Sequence, residues 1–230
     1  LEPVKDRAAD LICRIVRANA GAISIIGIGP LTNVALALRE DPEIASMIQS
    51  IILMGGSLSG GNVTPAAEFN FYVDPEAASI VFGSGIPIRM VGLDVTRKVE
   101  LTKLHIEKLQ RGSGPVSEAA ARIGESALKM QLAANSAGRM HLHDPLAVSC
   151  LLDPTILTFE DYHIAIETSG TITAGESVGF RHSPLSFSAP LQTASPTSLA
   201  PFVVNASVAT GVDSDKFFEL LTSRLSREHA

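Results

Sequence analysis

Three short runs that are apolar at almost every position constrain this chain most: residues 23–28 (ISIIGI), 51–54 (IILM) and 86–95 (IPIRMVGLDV). A strand with one wet face alternates apolar and polar residues, so unbroken apolar runs of this length suit strands covered on both faces. Helical patterns lie between them. Residues 6–17 place Ala8, Leu11, Ile12, Ile15 and Val16 on one face, LTNVALALRE and DPEIASMIQS read as two further helices, the second with Asp41 as its cap before Pro42, and DPEAASIVFGSG opens another at an Asp-Pro pair. Strands alternating with helices at this spacing predict parallel strands joined by crossover helices. The expected fold class is therefore α/β, a mostly parallel open sheet with helices on both faces, in a single domain over residues 1–230. Downstream, residues 101–135 read as helical and HDPLAVSCLLD as a helix starting at Pro145 behind Asp144 as its cap. YHIAIETSG and VNASVATGV read as strands, and DSDKFFELLTSRL as a closing helix capped by Asp213 or Ser214. Residues 180–201, rich in Ser and Pro, read as a surface loop.

Composition narrows the function classes. The 230 residues are 46% hydrophobic and 18% charged, which excludes global disorder. A net charge of −6 without a Lys/Arg block argues against nucleic acid and anionic membranes as partners. No apolar run approaches the ~18 residues of a membrane span, and the first residues lack the order of a signal peptide. Cys13 and Cys150 lie in apolar segments and fit a reducing compartment.

The candidate site residues fall in two clusters. Asn62, Glu68 and Asn70, in GGNVTPAAEFNFYVDPEAA, follow the second apolar run and so belong at the carboxyl edge of a parallel sheet, where ligands bind. Carboxamides beside a carboxylate suit sugar hydroxyls, which both give and accept hydrogen bonds. The plainer reading makes Asn62 a turn residue and puts Glu68 and Asn70 on the exposed face of a strand around Phe69; spacing alone favours it. In the second cluster, His143 offers a proton donor and Asp144 an oxygen ligand for a hard cation, while helix capping alone would also account for Asp144. His141 and His143 have no further ligands at zinc spacing. GIGPLTN resembles a phosphate loop, but Pro30 removes a donor, so tight strand-to-helix packing is the better reading. Asp6 and Asp10 fit a helix first turn, Met130 is core by default, and the absence of GxSxG argues against a serine hydrolase.

In their order and spacing, GIGPLTNVALAL, IILMGG, GNVTPAAEFNFYVDPEAA, MVGLDVT, HDPLAV and the closing VDSDKFFELL resemble the inosine-uridine preferring nucleoside hydrolases. The resemblance runs from about Asp10 to Leu225, is most specific over residues 21–95 and thins over 101–137. It implies a Rossmann-like nucleoside hydrolase fold and cleavage of the N-glycosidic bond of ribonucleosides by water, with a bound calcium ion. By resemblance, the Ile28 carbonyl and the Asp144 carboxylate match calcium ligands. Asn62, Glu68 and Asn70 match ribose-binding residues, Met54 lines their pocket, and His143 matches a leaving-group acid. A cytoplasmic homo-oligomer follows from the same likeness.

The family's DxDxGxDD motif, which supplies most calcium ligands and the general base, does not occur in these residues. The implied form is therefore incomplete, lacking the first strands, and its calcium site is incomplete with it. Three readings follow: an N-ribosyl hydrolase of which this is the larger part, a noncatalytic ribose-binding or partner-binding relative, and an unrelated nucleotide-binding protein using GIGP as an anion loop. The family's base contacts would fall within 101–137, which has neither Tyr nor Trp to stack on a purine.

Overall fold

The computed structural model describes residues 2–134, 140–181 and 203–226. Strands β1 (Ile23–Gly27), β2 (Ile48–Met54) and β3 (Ile88–Val91) are the three apolar runs, and they pair in parallel in that order. With β6 (Leu157–Ile166), β7 (Ser177–Phe180) and β8 (Ala206–Val212) they form one sheet of order β1-β2-β3-β8-β6-β7. β8 joins β3 in parallel, whereas β6 runs antiparallel to β8, and β7 antiparallel to β6. The expected mostly parallel sheet is thus present. Its strand β7 gave no expectation from sequence, nor did β4 (Glu100–Leu101) and β5 (Met140–His141), which pair as a separate ribbon.

Helices cover both faces, which explains the unbroken apolar run 51–54 at the carboxyl half of β2. Its side chains still alternate by face: Ile51 and Leu53 enter one buried cluster, Ile52 and Met54 the other. The first cluster lies under α1 (Ala8–Ala18), α2 (Thr32–Glu40) and α4 (Pro75–Phe82). The second lies under α5 (Leu93–Thr96), α6 (Lys103–Gln110), α8 (His143–Leu152) and α9 (Ser214–Leu225), with α7 (Pro115–Ala134) packed outside α6.

Several local expectations change. Residues 42–47 form a 3-10 turn rather than a helix, and Asp41 does not cap it; its carboxylate instead takes two hydrogen bonds from Arg17, each 2.6 Å. Asp74 and Asp213 do cap α4 and α9, accepting from the amides of Ala77 and Lys216. Met130 is 74% exposed rather than core, because α7 buries Ser117 and Ala121 on its inner side and turns Ile123 and Met130 outward. Asp6 pairs with Arg14 and Asp10 with Arg7, both as exposed ion pairs. GIGP is a tight strand-to-helix passage: a Cβ on Gly27 would lie 2.8 Å from the Leu31 side chain. The Ser/Pro stretch 180–201 lies, but for its first two residues, outside the described residues. No described helix is long and apolar enough to cross a membrane.

Candidate active site at the carboxyl edge of the sheet

The parallel strands end flush. Gly27 pairs with Leu53, Leu53 with Met90, and Met54 with Val91, so Ile28, Met54 and the Gly92 turn leave the sheet along one edge. A long loop follows β2 there and leads to α3 (Phe69–Val73), and α5 follows β3 directly after Gly92, at the edge where ligands bind in open parallel sheets.

Glu68 is the best-anchored of the candidates. It is 3% exposed and stands at the N-terminus of α3 (Phe69–Val73), with Oε2 accepting from the amides of Gly56 at 3.0 Å, Asn70 at 2.9 Å and Phe71 at 3.2 Å. Gly56 reaches this position with φ +68, where a Cβ would also meet Phe71, Met90 and Ser177. Among the described residues nothing bonds Oε1. Burial raises the Glu68 carboxyl above its ordinary range; the three amides oppose this and the charge of Asp144 adds to it.

Asn70 is 8% exposed, and its side-chain amide donates to the Met54 carbonyl at 3.0 Å and approaches the Met54 sulfur at 3.4 Å. A carbonyl can only accept, so Nδ2 faces Met54, and Oδ1 has no bonding partner among the described residues. Glu68 and Asn70 are therefore not on the exposed face of a strand. The short helix turns Phe69 outward, 51% exposed, and both flanking polar groups inward. Asn62 behaves as the turn reading expects: it is exposed, and its Oδ1 accepts from the Phe69 amide at 2.9 Å, tying the loop to the start of α3. Met54 itself is buried, 4% exposed.

His143 and Asp144 open α8, which packs against β2 and α5. Asp144 is not the cap. The helix begins at His143, its cap position is Leu142, and no side chain caps it. Asp144 thus sits inside the first turn, half-buried, without a hydrogen bond from any described residue, and burial raises its carboxyl above the ordinary range. It lines one cavity of about 350 Å³ with Ile28, Val148, Leu152, Phe217 and Leu220. The His143 ring is joined through Nδ1 to the Thr96 hydroxyl at 2.7 Å. Burial, with His141 and Arg97 adding to it, lowers its pKa to about 4.

Sequence reading missed what α5 does. Asp94 accepts from the Leu58 amide at 2.8 Å and from the Ser59 hydroxyl at 2.6 Å, and Arg97 donates to the Gly61 carbonyl. One short helix therefore holds the loop leading to Asn62 as well as the ring of His143. LDVT was visible as a motif, but its partners lie 35 to 47 positions away and only folding reveals them.

Ile28 and Asp144 offer oxygens of the right chemistry for a hard cation. Such an ion takes 6 to 8 oxygens, by the general rule. Among the described residues no group of three or more His, Cys, Asp or Glu side chains is placed to hold a metal, so these two do not make a calcium shell.

A buried carboxylate and carboxamide, each with one oxygen unbonded among the described residues, stand at the sheet's carboxyl edge together with the His143 ring and the Asp144 carboxylate. Comparison specifies the class. The model of the inosine-uridine preferring nucleoside hydrolase family matches residues 1–219, and the chain belongs to that family, enzymes that hydrolyse ribonucleosides to ribose and base. It is 37% identical over 98% of its length to the pyrimidine-specific ribonucleoside hydrolase RihA of Photobacterium profundum, spanning 68% of that protein. It is 38% identical to RihA of Salmonella gallinarum, with 97% and 67% covered. Among solved structures it resembles the plant nucleoside hydrolase PpNRh1, with TM-score 0.87 and 30% identity over 99% of this chain and 69% of that one. It also resembles a purine-preferring ribonucleoside hydrolase from Gardnerella vaginalis, with TM-score 0.84 and 31% identity over 98% and 67%.

Proposed function

We propose that Glu68 and Asn70 bind the ribose hydroxyls of a ribonucleoside, that Asn62 and Met54 complete that wall, and that His143 assists departure of the base. The observation that carries this reading is the pair of oxygens without a bonding partner among the described residues, Glu68 Oε1 and Asn70 Oδ1, on side chains whose other polar atoms are already engaged. Groups so fixed cannot reorganise, and a sugar hydroxyl can donate to each. As the C1′–N bond breaks and a water oxygen bonds to C1′, positive charge spreads over the ribose. An ionised Glu68 accepting from a hydroxyl then binds the sugar more strongly than in the ground state. The bond's electron pair leaves on the base nitrogen, which a donor at His143 stabilises; the attacking water gives up one proton and the departing nitrogen gains one, so that ribose and the free base are released neutral.

Calcium is the ion this reading assigns to the family site, with the Ile28 carbonyl and Asp144 supplying two of its oxygens. Because those two are not a shell, no step above passes through the ion. By resemblance we also place the chain as one domain of a homo-oligomer in the cytoplasm.

The test is kinetic, in the natural enzyme. Asn70→Ala removes one hydrogen-bonding group from the ribose and is expected to lower kcat/KM for inosine or uridine by about tenfold to a hundredfold. His143→Ala should slow natural nucleosides far more than an activated nitrophenyl riboside, which needs no help in leaving. An unchanged kcat/KM for Asn70→Ala would remove the ribose assignment. Equal slowing of both substrates by His143→Ala would remove His143 from the leaving-group role.

A further inference from the structure

The hydrogen bond between Thr96 and His143 has a direction that can be worked out. Thr96 is fully buried, and its hydroxyl carries a proton that needs an acceptor, since a buried donor left alone is strongly disfavoured. Among the described residues the one hydrogen-bond partner of that hydroxyl is Nδ1 of His143, at 2.7 Å. A neutral imidazole has one nitrogen that accepts and one that donates. If Nδ1 carried the ring proton it would donate to the hydroxyl oxygen, and the hydroxyl's own proton would be left without an acceptor among the described residues. Nδ1 therefore accepts, and the ring proton resides on Nε2.

We propose that Thr96 is a positioning residue for the reaction: its hydroxyl donates to Nδ1 of His143 and fixes the imidazole in the Nε2–H form, which offers a hydrogen-bond donor to the departing base. This rests on the role given to His143 above and deepens it, because a neutral ring held in this form donates without first acquiring a second proton. Nothing among the described residues bonds Nε2, so that donor is free to meet a substrate. Thr96 is well placed for such a task. It lies on α5, whose Asp94, with Arg97 just after the helix, already holds the loop leading to Asn62, so one segment sets both walls of the site.

The experiment is long-range proton–nitrogen NMR of the imidazole nitrogens at neutral pH on the ¹⁵N-labelled 230-residue chain, comparing wild type, Thr96→Val and Thr96→Ser. Wild type and Thr96→Ser are expected to show a protonated Nε2 and an unprotonated Nδ1 for His143. Thr96→Val, similar in shape but unable to donate, is expected to show shifts averaged between the two forms. A proton on Nδ1 in wild type, or an unchanged spectrum in Thr96→Val, overturns the proposal. In turnover by the natural enzyme, Thr96→Val should slow inosine by roughly tenfold, with less effect on the nitrophenyl riboside and recovery in Thr96→Ser. Equal slowing of both substrates, or of neither, also overturns it. The two failures separate cleanly. His143→Ala insensitive to the leaving group removes the parent reading, whereas His143→Ala sensitive and Thr96→Val silent removes Thr96 alone.

Discussion

Replacing Glu68 by alanine is expected to damage the fold before it touches chemistry, and the structure gives the size of the effect. Oε2 accepts from three amides, those of Gly56, Asn70 and Phe71. In Glu68→Ala all three lose their acceptor at once; the last two are the leading donors of α3, and Gly56 lies in the loop after β2. A buried donor left unpaired costs about 1 to 3 kcal/mol, so three would cost roughly 3 to 9 if none found water. Solvent entering the vacated space replaces part of this, and we expect about 3 kcal/mol, a large share of the ~5–15 kcal/mol that typically holds a domain together. In urea unfolding followed by circular dichroism, with a slope of about 2 to 3 kcal/mol per molar, the midpoint should fall by roughly 1 M. Glu68→Gln keeps one acceptor oxygen and should lose about half as much. Its pH dependence has a definite sign. Burial raises the folded-state pKa of Glu68, so between its ordinary and raised values the folded chain retains a proton that the unfolded chain has released. Stability conferred by that proton is present below this window and falls as pH rises through it, a slope Glu68→Gln should lack. A midpoint shift below about 0.3 M for Glu68→Ala would mean that the carboxylate does not organise the loop, and the ribose-wall geometry would fall with it.

Asp144→Asn should separate stability from activity. Asp144 caps nothing and its charge is half-buried without a partner, so its loss should leave the melting temperature at neutral pH unchanged or higher while nucleoside hydrolysis by the natural enzyme collapses; a drop of several degrees in Asp144→Ala, which unlike Asn cannot cap, would restore the capping role. The His143 ring, held down to about 4, should stay neutral throughout pH 5 to 8 in an NMR titration. Because its folded pKa lies below the unfolded value near 6.5, it contributes stability above that value that is lost as pH falls toward 4, and a midpoint near 6.5 in the folded chain would contradict the burial argument. Calorimetric titration of the 230-residue chain with calcium should show no micromolar binding, since two oxygens are far short of the 6 to 8 such an ion usually takes; tight binding would refute this.

The sequence alone determined the layer architecture. Runs such as IILM have no polar position to offer a wet face, so β2 had to be buried on both sides, and 3.6-residue periodicity on either side of it required helices to do the covering. It also marked Glu68, Asn70, His143 and Asp144 as polar groups at the ends of apolar elements. Local reading failed where a side chain had a choice of partner. Asp41 and Asp144 both precede proline, yet one serves Arg17 and the other faces a cavity: residues 42–47 close as a 3-10 turn without a side-chain cap, and α8 begins one residue before Asp144. Met130 followed helical spacing but met no neighbour, since periodicity says which residues share a face and not what lies against it. Asn62 holds a turn as its sequence setting suggested, whereas only the tertiary structure decided that Glu68 and Asn70 turn inward and that Thr96 reaches His143 across 47 positions. Those outcomes depend on contacts distant in sequence, whose free energy exists only once the sheet has brought its strand ends into line.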